Sequence, residues 1–95
     1  MTDTQAKCLE QAKSYLEKIP FSKQGLIGQL EYKGFDQADI DFALENIDVD
    51  WTENAIKKSE DYLATIPLSK PALEQQLDFD GFTKDQIAVA VEKTY

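Results

Sequence analysis

A shift of 47 residues lays the chain on itself without a gap. Residues 19–35, IPFSKQGLIGQLEYKGF, fall on residues 66–82, IPLSKPALEQQLDFDGF. In that register Tyr15 meets Tyr62, Leu16 meets Leu63, Ile19-Pro20 meets Ile66-Pro67 and Ser22-Lys23 meets Ser69-Lys70. Leu26, Gln29 and Leu30 then meet Leu73, Gln76 and Leu77, and Gly34-Phe35 meets Gly81-Phe82. Ile40, Ala43 and Glu45 meet Ile87, Ala90 and Glu92. In a chain of 95 residues such a duplication leaves room for two copies of one small unit, residues 1–48 and 49–95. A period of this length belongs to helical units that bury too little alone, so the two copies are expected to form one cooperative domain.

Each copy parses into three helices. Cys8, Leu9, Ala12, Leu16 and Ile19 recur at steps that mark one face of the first helix, matched by Ala55, Ile56, Ser59, Leu63 and Ile66. Pro20 and Pro67 push the preceding residue out of the helical region and end it. Ser22 and Ser69 cap the second helix, Pro71 fits its first turn, and Gly34 and Gly81 stop it. Asp36 with Asp39, and Thr83 with Gln86, make a capping box for the third helix. Its inner face is Ile40, Ala43, Leu44 and Ile47, matched by Ile87, Ala90, Val91 and Thr94. Asp50 and Glu53 open the fourth helix and put Trp51 in its first turn. The expected fold is all-α: two tandem three-helix, helix-turn-helix-like repeats packed as one six-helix domain.

Composition removes most chemistry. The chain has no histidine and no arginine, and carries 18 acidic residues against 10 lysines, a net charge of -8. It lacks the usual acid–base catalyst, the commonest transition-metal ligand and the bidentate phosphate donor. No catalytic residues, metal site or cofactor are expected, and direct nucleic-acid binding is rejected, because phosphate affinity is largely cationic. The sequences DVDWTE and DFDG lack the glycine and glutamate spacing of a calcium loop. Cys8 aligns with Ala55 and reads as a small buried residue; Trp51, Tyr62 and Phe82 read as core. No apolar run approaches the ~20 residues that span a bilayer, and MTDTQAKC holds no signal-peptide hydrophobic segment. As written the chain would stay in the cytoplasm; a removed lipobox segment would make it extracellular and membrane-anchored.

One surface feature stands out. Between Lys33 and Lys57 lie Asp36, Asp39, Asp41, Glu45, Asp48, Asp50 and Glu53, with no positive charge among them. Asp41, Glu45 and Asp48 follow the spacing of one helical face, where like charges cost a few tenths of a kcal/mol per pair. These seven residues are the candidate landing site for a basic protein partner. The second copy keeps Glu92 but has Ala88 in place of Asp41.

The motifs resemble a known family. Phe21 to Leu26, Gln29-Leu30, Gly34-Phe35 and the Asp50-Trp51 junction between copies are similar to the repeat of the Ltp family of host cell surface-exposed lipoproteins, which includes phage-encoded superinfection-exclusion lipoproteins. The resemblance covers the chain from about residue 5 to its end. It departs at Pro71-Ala72, at Lys33, and at Cys8, which Gln5-Ala6-Lys7 precede in place of a lipobox. It implies a non-enzymatic module that keeps a related phage from delivering its DNA, with a phage tail component as partner. The alternative is an intracellular inhibitor, anti-CRISPR-like, whose carboxylates mimic DNA in the groove of a host defence nuclease.

Overall fold

The computed structural model describes all residues, Met1–Tyr95. Six helices and no strands follow in order: α1 (Asp3–Lys18), α2 (Lys23–Tyr32), α3 (Gln37–Asn46), α4 (Trp51–Thr65), α5 (Lys70–Phe79) and α6 (Lys84–Thr94). Within each repeat the long first helix packs chiefly on the third, and the second helix closes the side. The chain is elongated, 45 × 20 × 19 Å with a radius of gyration of 14.3 Å. A compact domain of this length would have about 12 Å.

The repeated punctuation has a repeated geometry. Ile19 and Ile66 cap α1 and α4 in extended conformation, as a residue before proline must. The amides of Phe21 and Leu68 then bond back to the Ile19 and Ile66 carbonyls at 2.9 and 3.0 Å, closing a tight turn over each proline. Ser22 and Ser69 cap the second helices. Those helices end with positive φ at Gly34 (92°) and Gly81 (99°). The amides of Gly34 and Phe35 return to Glu31 and Leu30, and those of Gly81 and Phe82 to Asp78 and Leu77, so both stops are Schellman turns.

Ile19 and Ile66 correct the first-helix pattern. They continue its spacing, but the proline moves them off the helix, and they are 43% and 47% exposed.

The apolar interior divides in two. Cys8, Ala12, Leu26, Leu30, Ile40 and Ala43 form one cluster; Ala55, Leu73, Leu77, Phe82, Ile87, Ala90 and Val91 form the other. The two copies therefore do not share a single apolar core. Each fully buried leucine contributes about 2 kcal/mol to its own repeat. Trp51 reaches across: the first residue of α4 packs, half-buried, against the first cluster. Where the first core has Ala12 and Ile47, the second has Ser59 and Thr94, and their hydroxyls bond at 2.6 Å while Thr94 also donates to the Ala90 carbonyl at 2.7 Å. No buried side-chain nitrogen or oxygen is left without a partner.

The joint between repeats is polar and close. The Ser22 hydroxyl accepts from the Gly25 amide and donates to the Asp80 carbonyl, and the Asn54 side-chain amide donates to the Phe21 carbonyl at 3.0 Å. A methyl group on Gly81 would sit 2.8 Å from the Ser22 Oγ and 3.1 Å from the Gln24 Cβ. The glycine turn of the second repeat thus lies on the helix start of the first.

Candidate functional site

The seven acidic residues do not form one face. Three of them are engaged at helix starts, Asp36 and Asp50 as caps and Asp39 within the first turn of α3. Asp36 accepts the Asp39 amide at 2.9 Å, and Asp39 returns a longer 3.4 Å contact from the Asp36 amide. Asp39 is buried by this arrangement, at 9% exposure. Asp50 accepts the amides of Thr52 and Glu53 at 3.0 and 3.2 Å. Such carboxylates are partly compensated by the N–H groups and the positive helix end they face.

Asp41, Glu45 and Asp48 separate as well. The helical spacing puts them together only while the helix continues, but α3 ends at Asn46 and Ile47 turns extended (φ −100°, ψ 148°). Asp41 and Glu45 remain neighbours, exposed on the rim of a shallow hollow of about 280 Å³ with Leu44, Trp51 and Lys23. Asp41 is steadied by the Gln37 side-chain amide at 2.7 Å. Asp48 lines another hollow, with Lys13, Leu16, Glu17 and Val49. Glu53 is exposed in the first turn of α4. The acid surface therefore has a centre, Asp41 and Glu45 beside Trp51, and outlying members. Lys23, which belongs to α2, stands on its rim.

Two further groups have displaced acidities. Burial, then the Asp39 and Asp36 charges, push the Cys8 thiol up, away from thiolate reactivity. Burial and the Asp80 carboxylate push Tyr62 up to about 12. Tyr62 donates to Asp80, accepts from Gln76 at 3.3 Å, and carries the Lys58 ammonium 5.3 Å above its ring. Its hydroxyl fixes a turn rather than serving a free site.

Periodicity did not single out Tyr32 and Phe79, at equivalent positions in the two copies and 83% and 86% exposed. The signal was there: a large ring occurs in both copies outside the stripe set by Leu26 and Leu30 or Leu73 and Leu77.

The chain is similar along its whole length to the solved structure of Ltp, a superinfection exclusion protein from the Streptococcus thermophilus temperate phage TP-J34. The two share 29% identity and superpose with a TM-score of 0.88, over 100% of this chain and 99% of that one. A search of curated proteins finds no match. The family described as host cell surface-exposed lipoprotein matches twice, over residues 3–47 and 50–93. The two matches coincide with the two three-helix repeats, and the chain belongs to the host cell surface-exposed lipoprotein (Ltp) family.

Proposed function

We propose that the chain is a non-enzymatic binding module for superinfection exclusion, acting outside the host membrane to stop a related phage from delivering its DNA. The observation that carries this reading is the full-length likeness, at 29% identity, to a superinfection exclusion protein of a temperate phage. In this reading the chain engages a tail component of the incoming phage through a basic segment. The net charge of -8 and the exposed Asp41 and Glu45 beside Trp51 support such a partner. Asp36, Asp39 and Asp50 contribute background potential, since their carboxylates are engaged at helix starts; Asp48 and Glu53 extend the field to either side. The surface location follows the family description. No helix is long and apolar enough to cross a membrane; attachment through lipid, in this reading, follows the family description as a lipoprotein.

The test compares cells that display the chain on a lipid anchor with cells that hold it in the cytoplasm. Phage adsorption and phage DNA inside the cells are measured in both. The reading expects normal adsorption and little DNA entry only in the displaying cells. Free DNA entry with protection from host nucleases in the cytoplasmic arm would replace it with the nuclease-inhibitor reading.

A further inference from the structure

Tyr32 and Phe79 are each the last residue of the second helix of their repeat, just before the glycine turn. Neither belongs to a core cluster or packs against one. The fold does not require a ring there. Some exposed positions have diverged between the copies, Gly28 aligning with Gln75, Gln37 with Lys84 and Ala38 with Asp85, while others are kept, Lys23 with Lys70 and Glu45 with Glu92. At this one both copies keep a large aromatic, and the residue before it is acidic and exposed in both, Glu31 and Asp78. A hydrated ring adds little to folding stability, whereas aromatics are enriched where a partner covers them.

The molecule itself contains one cation on a ring, although there the carboxylate bonds the ring hydroxyl and not the ammonium. Lys58 lies over the Tyr62 ring while the Asp80 carboxylate takes the Tyr62 hydroxyl. A ring beside a carboxylate there holds a lysine ammonium. Tyr32 with Glu31, and Phe79 with Asp78, offer the same two components open to solvent.

We propose that Tyr32 and Phe79 are two equivalent contact points for lysine or arginine side chains of a basic protein partner, each cation stacking on the ring and pairing with the neighbouring carboxylate. The inference rests on the basic-partner reading above and adds a surface outside α3. The two points differ in strength. Phe79 is followed by Asp80, whereas Tyr32 is followed by Lys33, which repels an incoming cation.

The test is an NMR titration of the full chain at low salt with an octapeptide of alternating lysine and alanine, against a glutamate–alanine control. The lysine protons beside the ammonium should move upfield in the ring current. Tyr32→Ser or Phe79→Ser should each weaken binding by about two- to five-fold, with the larger loss at Phe79. Lys33→Asp should strengthen it. If the double variant Tyr32→Ser/Phe79→Ser binds like the parent while Asp41→Asn/Glu45→Gln does not bind, the inference is wrong and the basic-partner reading stands. If the parent chain itself ignores the lysine peptide, both are wrong.

Discussion

The Ser22 hydroxyl donates to the Asp80 carbonyl at 2.5 Å, across 58 residues of sequence, while accepting the Gly25 amide at 2.9 Å. Its counterpart Ser69 makes only the local cap, a 3.3 Å contact from Ala72. One residue type at one repeat position therefore has two jobs in the first copy and one in the second. Ser69→Ala should cost about 1 kcal/mol, the ordinary loss of a cap. Ser22→Ala should cost about 1 kcal/mol more, because the Asp80 carbonyl loses a partner at a part-buried site. Urea denaturation of the two variants measures the difference.

Gly34 and Gly81 form a matched pair for the same joint. Both have positive φ, but a methyl group at Gly34 meets nothing within 4 Å. Gly34→Ala should therefore show only the backbone cost of about 1–2 kcal/mol. Gly81→Ala should exceed it, since Ser22 and Gln24 must also shift. Equal losses in thermal or chemical denaturation would mean that the joint is loose.

Ser59 and Thr94 exchange an apolar pair of the first core for a hydrogen-bonded pair in the second. Thr94→Val should cost about 1–3 kcal/mol, because it strands the fully buried Ser59 hydroxyl. Adding Ser59→Ala should recover much of that loss, since the first core manages with Ala12 and Ile47. A double-mutant cycle reads the coupling.

Much of this was legible in advance, and the reason is local. Proline, serine, aspartate and glycine act within a few residues of themselves, so Pro20, Ser22, Asp36 and Gly34 announce their turns wherever they stand. Leu26, Leu30, Ile40 and Ala43 are likewise fixed by helical spacing. Spacing misled where a helix stopped early, at Ile19 and Ile66 before the prolines and at Asp48 beyond the end of α3. The joint was hidden for another reason. Ser22 and Ser69, or Gly34 and Gly81, are identical in sequence and differ only in what the other repeat places beside them. Of the acidic site, the total charge and the engagement of Asp36, Asp39 and Asp50 at helix starts were readable, whereas the parting of Asp48 from Asp41 and Glu45 depended on where α3 ended.

The Tyr62 phenol supplies a pH prediction. Its folded value, about 12, lies above the ordinary 10, so the folded state holds the proton more tightly. The stabilisation is complete below pH 10 and is lost as pH rises toward 12. Tyr62→Phe should flatten the fall in stability over that window, and ultraviolet titration of the parent should show one phenol ionising late.

The central claim is that exposed carboxylates of this repeat module hold an incoming phage component and keep DNA out. The most direct measurement is phage DNA entry into cells displaying the lipid-anchored chain, beside cells displaying Asp41→Asn/Glu45→Gln/Asp48→Asn, with adsorption and helix content checked in both. The account predicts that the parent chain excludes DNA at normal adsorption and that the neutralised, still helical variant admits it. DNA entering parent-displaying cells as freely as bare cells would contradict the function, and exclusion undiminished in the variant would contradict the role of the charges.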